Sequence, residues 1–196
     1  MLDPKETLEH RIDYPKISAK NRRSLGDFII AWGVLESELD TCFISLFRVN
    51  PTLCGCITAN LGTKAKLDIL SSALSMLEEP LGSDLVTAGH EIIEDTRYYS
   101  AMARNTLAHG QPSFFAEHEE DAKEWVILRY SARKKLNAST YPMTSDHWDY
   151  IAKEIKNLAA HWRDMSVTIH EKLSPLNPED FNRVCEFGGQ SYSLED

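Results

Sequence analysis

Two long stretches of the sequence carry apolar residues at the three- and four-residue spacing of an amphipathic helix, and they constrain the fold most. The first runs from about 20 to 48, with apolar positions at Leu25, Phe28, Ile29, Trp32, Leu35, Leu39, Cys42, Phe43 and Leu46. The second follows a cap at Ser145–Asp146, with apolar positions at Ile151, Ile155, Leu158, Trp162, Met165, Ile169 and Leu173. Each stripe must be buried against another element, so the chain is expected to form a helical bundle.

Shorter helices are predicted between these two. They cover about 52 to 60, Thr63 to about 78, and a segment that runs from a cap at Ser83 or Asp84 to His109. Asn50–Pro51 and the Pro80–Leu81–Gly82 turn separate them, because proline and the residue before it disfavour helix. Gly110 and Pro112 then suit a helix C-terminus that cannot continue.

The apolar period changes after this point. Ser113–Phe115 and Glu124–Tyr130 have the composition of strands, the acidic segment EHEEDAK separates them, and a third strand at about 138 to 143 is left open. The predicted fold is therefore mainly α, an up-and-down helical bundle with a small β-hairpin inserted before the last long helix. Residues 1–17 are expected to form an N-terminal arm, 18–173 the helical domain and 174–196 an extended C-terminal tail.

Composition limits the class of protein. Hydrophobic residues make up 42% of the 196 residues and charged residues 26%, as in soluble globular proteins. The sequence has neither an apolar run of about 20 residues nor an apolar signal core. We therefore expect a cytoplasmic protein with no membrane partner. The net charge of −9 argues against a broad basic face for nucleic acid. Two short basic clusters, Lys20–Arg23 and Arg133–Lys135, are either solvated surface or local phosphate contacts.

Several kinds of site have no support in the sequence. The four cysteines form no C-x-x-C pair, and neither phosphate-binding glycine loop nor a G-x-S-x-G motif occurs. No glutamate is followed three residues later by histidine, as a di-iron bundle requires. His90 and Glu94 share a predicted helix face but lack a second ligand pair. We therefore predict neither a metal nor a cofactor.

The segment RNTLAHG, residues 104 to 110, has two interpretations. It suits an ordinary helix end, because a histidine in the last turn interacts favourably with the helix dipole and glycine ends the helix. It also contains an arginine, an asparagine and a histidine close together. The spacing alone does not decide between these interpretations, because Arg163 and His170 fit the same loose Arg–His pattern.

Helical periodicity favours the first of the two Arg–His pairs. If the helix is a regular α-helix, one face carries Tyr98, Met102, Asn105 and His109, and its neighbour carries Arg97, Ala101, Arg104 and Ala108. The alanines leave room beside the charged residues, which predicts an open polar strip on a central helix. Arg163 and His170 instead flank the apolar stripe of the last helix. Arg104, Asn105 and His109 are therefore the candidate catalytic residues, and Arg97 and Tyr98 the candidate substrate-binding residues.

These features resemble the HEPN domains, helical bundles with an R-x4-6-H motif and a polar residue after the arginine. Arg104 to His109 matches that motif, with Asn105 in the polar position. Trp32–Leu39 is similar to the first long helix of bacterial HEPN-like proteins, and Thr63–Leu67 to the start of a later one. The resemblance covers roughly residues 20 to 173. It implies metal-independent RNA cleavage in a toxin–antitoxin or antiviral setting, and a homodimer whose two motifs share one cleft.

The resemblance also implies roles for the motif residues. The ribose 2′-OH attacks the adjacent phosphate, leaving a 2′,3′-cyclic phosphate and a 5′-OH. His109 moves protons near neutral pH, and Arg104 donates to the non-bridging oxygens as charge builds. Asn105 orients His109 or holds the phosphate. One histidine cannot be base and acid in the same step, so two copies belong to the mechanism.

One position departs from the family pattern. Some HEPN toxins have a tyrosine two residues after the histidine that an antitoxin modifies, and this chain has Gln111 there. This position therefore lacks the hydroxyl on which that modification acts. The acidic net charge also leaves open an alternative function, a non-catalytic dimeric helical module that binds a partner protein or a nucleotide.

Overall fold

The computed structural model describes the backbone of residues 18–109, 111–115, 124–131, 137–142 and 144–187, and the side chains of 18–108 and 144–182. The helices in this part are α1 (Ala19–Phe47), α2 (Pro51–Thr58), α3 (Thr63–Met76), α4 (Glu78–Leu81), α5 (Ser83–Tyr99), α6 (Asn105–His109), α7 (Ser145–Leu173) and α8 (Pro178–Phe187). A π-helical turn, Ser100–Arg104, joins α5 to α6. The mainly helical class is confirmed. The predicted N-terminal arm, 1–17, lies outside the described residues.

The two long helices begin at side-chain caps. Ser18 accepts a hydrogen bond from the backbone N–H of Asn21, and Thr144 accepts one from His147, so each cap satisfies a donor that the first turn leaves free. The cap of α7 is thus one residue earlier than the predicted Ser145. None of the described helices is both long and apolar enough to span a membrane.

Helices α1 and α7 run parallel and form the centre of the bundle. Near their N-termini the rings of Phe28 and Trp148 meet edge to face, with centroids 5.3 Å apart. Towards their C-termini the hydroxyls of Ser45 and Ser166 share a buried hydrogen bond of 2.9 Å. The apolar positions predicted for α7 are all buried, and so are those of α1 except Leu25 and Ile29.

Helix α5 runs antiparallel to α7 and is fixed to it near the middle of the bundle. The indole N–H of Trp162 donates to the Thr96 hydroxyl at 3.0 Å, and that hydroxyl donates to the carbonyl of Ile92. Gly89 lies where α5 passes close to α3 and α7. A Cβ at this position would lie 2.6 Å from Leu74 Cδ1 and 3.3 Å from Met165 Cε.

The predicted β-hairpin needs correction. The backbone forms a three-stranded antiparallel sheet, β1 (Gln111–Phe115), β2 (Glu124–Ser131) and β3 (Asn137–Pro142), in the order β1-β2-β3. Ser113 pairs with Val126, and Leu128 pairs with Thr140. The insertion before α7 is therefore a three-stranded meander, because the third segment, which the sequence left open, pairs with the free edge of β2.

The extended conformation predicted for residues 174–196 is wrong for 178–187, which form α8. Asn177 caps this helix by accepting a hydrogen bond from the Asp180 N–H at 2.8 Å. Arg48 holds α8 to the bundle: its guanidinium donates to the Leu176 carbonyl at 2.8 Å and lies over the Phe181 ring. Residues 188–196 lie outside the described part of the chain.

The close approach at Gly89 gives a stability prediction. We expect Gly89→Ala to lower the free energy of unfolding, since overpacking a core typically costs about 1–3 kcal/mol, against which alanine gains only up to about 1 kcal/mol of helix propensity. Gly55→Ala is the matched control, because a Cβ there would meet nothing within 4 Å. It should instead stabilise the chain by up to about 1 kcal/mol through helix propensity. Urea unfolding of both variants measures the difference. Equal stabilisation by the two changes would contradict the close packing.

Candidate functional site

The helix that carries RNTLAHG is interrupted just before the motif. Within Ser100–Arg104 the backbone is π-helical, and the Asn105 N–H donates to the carbonyl of Ser100, five residues earlier. Such a bond adds a residue to the turn, so later side chains are rotated by about 100° from a regular α-helix. The predicted face that joins Tyr98 and Met102 to Asn105 and His109 is therefore wrong. π-helical turns inside α-helices are frequent at functional sites.

The π-helical turn sets which motif residues face the core. Ala103 and Thr106 are fully buried, whereas Arg104, Asn105 and Leu107 are half-buried and Ala108 is exposed. His109 ends α6, and its side chain lies outside the described residues. The structure thus places Arg104 and Asn105 at the edge of the core, at the start of the helix that His109 ends.

Arg104 lies in the wall of an apolar groove between α6 and α1. The groove has a volume of about 380 Å³ and is lined by Leu25, Phe28, Ile29 and Trp32 of α1 together with Arg104, Leu107 and Ala108. We call it the Arg104 groove. The contribution of α1 could not be predicted from the sequence, since its four lining residues belong to the apolar stripe of that helix. The lining residues of the groove come from two segments about 75 residues apart in the sequence, which the bundle topology brings together.

The arginines of the two Arg–His pairs have different surroundings. Arg163 is engaged by Glu38, with Nε and Nη2 lying 3.0 and 2.5 Å from Oε1. No carboxylate in the described part of the chain forms an ion pair with Arg104. Within the described residues, the guanidinium of Arg104 is therefore not held by a carboxylate, whereas that of Arg163 links α7 to α1. This difference favours the pair chosen from the sequence.

Arg97, a candidate substrate-binding residue, is held by two carboxylates. Its Nη2 lies 2.7 Å from Asp68 Oδ1, and its Nη1 pairs with Glu94. Partial burial alone would lower the pKa of Arg97, but the hydrogen bonds to Glu94 and Asp68 raise it above the usual arginine value. Arg97 therefore links α5 to α3, an arrangement that competes with binding of a substrate phosphate.

Tyr98, the other candidate substrate-binding residue, is 60% exposed. Its ring meets that of Tyr99 edge to face, with centroids 5.2 Å apart. Burial, followed by the neighbouring Tyr150 and Glu154, raises the pKa of Tyr99 to about 12. Tyr98 does not line the Arg104 groove, so the geometry does not join it to Arg104.

Possible metal ligands are engaged by other groups. His90 is hydrogen-bonded through Nδ1 to Ser71 and through Nε2 to Ser75, each at 3.2 Å. Glu94, considered with His90 from the sequence, pairs instead with Arg97. Among the residues whose positions are described, no group of three or more histidine, cysteine, aspartate or glutamate side chains is arranged to hold a metal ion.

The two further segments that resemble HEPN proteins meet between α1 and α3. The Thr63 hydroxyl donates to Glu36 at 3.1 Å, and Lys66 pairs with Asp40 at 2.6 Å. No family model matches the chain, and neither the curated proteins nor the solved structures contain a match. The HEPN resemblance therefore stays an expectation based on these segments and on the Arg104–His109 motif.

The different surroundings of the two arginines predict different effects on stability. Arg97→Ala should lower the free energy of unfolding by about 0.2–1 kcal/mol, the range for solvent-exposed ion pairs. Arg104→Ala should change it by less than about 0.5 kcal/mol, as for surface positions without such partners. Urea unfolding at low salt measures both. A larger loss for Arg104→Ala than for Arg97→Ala would indicate that Arg104 has a structural role.

Proposed function

We propose that this chain is a metal-independent RNA endonuclease of HEPN type that acts in the cytoplasm, in a toxin or antiviral defence setting. The proposal rests mainly on the surroundings of the Arg104 guanidinium. This group lies in the wall of an open groove without a carboxylate partner in the described part of the chain, and His109 ends α6, the short helix that directly follows Arg104. An arginine with no carboxylate partner among the described residues, five positions before a histidine in the sequence, suits phosphate chemistry.

The reaction proposed is attack of a ribose 2′-OH on the adjacent phosphorus. The 2′-oxygen–phosphorus bond forms as the bond to the 5′-oxygen breaks, which leaves a 2′,3′-cyclic phosphate and a 5′-OH. Arg104 stabilises the charge on the non-bridging oxygens, a contribution of about 10²–10³-fold for one such donor. His109 transfers a proton, and general acid–base catalysis typically contributes about 10²–10⁴-fold. Asn105, half-buried beside Arg104, orients His109 or the phosphate.

The proposed mechanism needs a second copy of the chain, because one histidine cannot remove one proton and supply another in the same step. A face of α1 that is left largely open within the described part of the chain, formed by Gly26, Ile30, Gly33 and Val34, suits that role. Ile30 is 66% exposed and Val34 is exposed as well, and a Cβ at either glycine would meet nothing within 4 Å. We call this the outer face of α1.

The glycines support close approach of a second helix to the outer face. In a helix each glycine costs about 1 kcal/mol relative to alanine, and nothing within the described residues requires glycine at these two positions. Gly26 and Gly33 are seven residues apart and so lie on the same side of α1. Ile29, which lines the Arg104 groove, adjoins this face. A two-fold dimer through it, the commonest symmetry of soluble oligomers, would place two Arg104 grooves near the axis.

A non-catalytic dimeric module is the second candidate, and the net charge of −9 favours it. Of the two basic clusters quoted from the sequence, the first has its Lys20 paired with Asp146 while Arg22 and Arg23 are exposed, and Arg133–Lys135 lies outside the described residues. This candidate predicts the same dimer but no RNA cleavage, so a cleavage assay separates the two.

The two Arg–His pairs provide a matched mutational test. Arg104→Ala and His109→Ala should each lower RNA cleavage by at least about 10²-fold, the low end for a general acid–base group. Arg163→Ala and His170→Ala should leave cleavage near the wild-type rate, because Arg163 is engaged by Glu38. Asn105→Ala should fall between. Cleavage of labelled RNA is measured alongside circular dichroism. An essential 163/170 pair with a dispensable 104/109 pair would mean that the site is assigned wrongly.

The outer face of α1 gives a prediction about assembly. Ile30→Lys should convert the dimer to a folded monomer and lower cleavage at least about tenfold, since it places a charge at an apolar interface. Ile57→Lys is the control, because Ile57 is an exposed aliphatic residue of α2, 49% exposed. Light scattering and the cleavage assay are compared for both. A wild-type monomer at micromolar concentration, or an Ile30→Lys dimer with full activity, would contradict this assembly.

A further inference from the structure

The Arg104 groove combines an apolar interior with one cation. Phe28 and Trp32 lie at its inner side and are only 2% and 5% exposed, whereas Ile29 is 62% exposed. The volume of about 380 Å³ lies within the usual range of small-molecule pockets, which are mostly apolar with a few placed polar groups. Arg104 is the only charged residue among the described residues that line it.

The charge of the groove limits which ligands fit. A wholly apolar ligand would cover Arg104 and remove its guanidinium from water without a partner, which is costly. A small anion alone would pair with Arg104 but leave the apolar walls in water. A ligand that both pairs with Arg104 and covers the apolar walls must join a compact apolar group to an anion, close enough together for both to lie in the groove. A nucleotide unit has this composition, since it joins a base with two π faces to a phosphate.

We propose that the Arg104 groove is a base-binding subsite, in which the base next to the cleaved phosphate packs against the accessible apolar walls, Leu25, Ile29 and Leu107, while that phosphate contacts Arg104. This inference rests on the proposed RNA cleavage and adds a determinant of substrate choice from α1. Phe28 and Trp32 form only the inner side of the groove, so the contact is mainly apolar packing, which tolerates any base.

The walls predict a preference among the bases. Apart from Arg104, the described lining residues carry only apolar side chains or an indole, and the Trp32 indole nitrogen is buried away from solvent. Hydrogen bonding therefore discriminates only weakly between bases, and the preference depends on how much apolar area each base buries. A purine buries more area than a pyrimidine, so adenosine monophosphate should bind more tightly than uridine monophosphate, and cleavage should favour a purine at this position.

Binding of small probes to the full-length wild-type protein tests this directly. Adenosine 3′-monophosphate should bind with a dissociation constant at least tenfold lower than that of ribose 5-phosphate, which lacks the base, or of adenosine, which lacks the phosphate. Arg104→Ala should weaken binding of the monophosphate and leave that of adenosine unchanged. Calorimetry gives the constants, and NMR shifts of the Trp32 indole report on occupancy of the groove.

A variant that fills the groove supplies the second arm. Ile29→Trp adds bulk at an exposed wall residue and should raise the dissociation constant of adenosine 3′-monophosphate at least tenfold. Val167→Trp is the control, because Val167 is 53% exposed on α7 and does not line the groove. It should leave binding unchanged, and circular dichroism of both variants checks folding.

The outcomes separate this inference from the proposed function. If the protein cleaves RNA but binds the probes equally with and without the base, the base subsite is overturned and the proposed endonuclease activity is not. The same holds if Ile29→Trp leaves binding of adenosine 3′-monophosphate unchanged. Base-dependent binding without cleavage would support the subsite as a nucleotide site and count against catalysis. Absence of binding by all three probes, as expected if a second copy of α1 fills the groove, would overturn the subsite.

Discussion

Burial of α1 against α7 determines where almost every other element lies. The two helices are parallel over most of their length, from the Phe28–Trp148 ring contact to the Ser45–Ser166 hydrogen bond. Their apolar stripes bury large areas, and each fully buried large side chain contributes about 1.5–3 kcal/mol. Because α1 is buried on this side, its opposite side is left for other contacts. That geometry creates both the Arg104 groove on one flank of α1 and the outer face beside it.

The packing of α5 against α7 and α3 determines where the RNTLAHG segment lies. The Trp162–Thr96 hydrogen bond and the close contact at Gly89 fix α5 against α7 and α3. Four residues after Thr96 the π-helical turn begins and changes the direction of the side chains that follow. Arg104 consequently lines a groove with α1. Arg97, which precedes the π-helical turn, bonds to α3 instead. Two arginines seven residues apart thereby acquire different roles.

Some of this could be predicted from the sequence, and physical reasons separate those parts from the others. The bounds of α1, α2, α3 and α7 were predicted within a few residues, since long stripes and proline or glycine boundaries are local signals. The π-helical turn was not predicted, because an extra residue in one turn has no signature in the amino-acid composition. The prediction that Tyr98 and Asn105 share a helix face was wrong for the same reason. Helix α8 was missed because the prolines beside it suggested extended chain, although proline is well tolerated in a first helical turn.

Only part of the candidate site could be predicted from the sequence, because the rest depends on tertiary contacts. Arg104 and Asn105 stood out as polar residues in a helix, but the groove depends on Leu25 and Ile29, which a linear pattern assigns to a core stripe. A contact between α1 and α6 is a property of the bundle, and no local spacing encodes it. The engagement of Arg163 by Glu38 is likewise a tertiary contact, and it separates two Arg–His pairs that the sequence pattern treats alike.

The most direct test of the proposed chemistry is the identity of the RNA ends produced by the purified protein in excess EDTA. If Arg104 and His109 act on the ribose 2′-OH, the rate in EDTA should stay within about twofold of the untreated rate, since no metal-bound hydroxide is required. The products should then carry 2′,3′-cyclic phosphate and 5′-OH ends. Activity that EDTA abolishes and Mg²⁺ restores, with 5′-phosphate and 3′-OH ends, would contradict that chemistry.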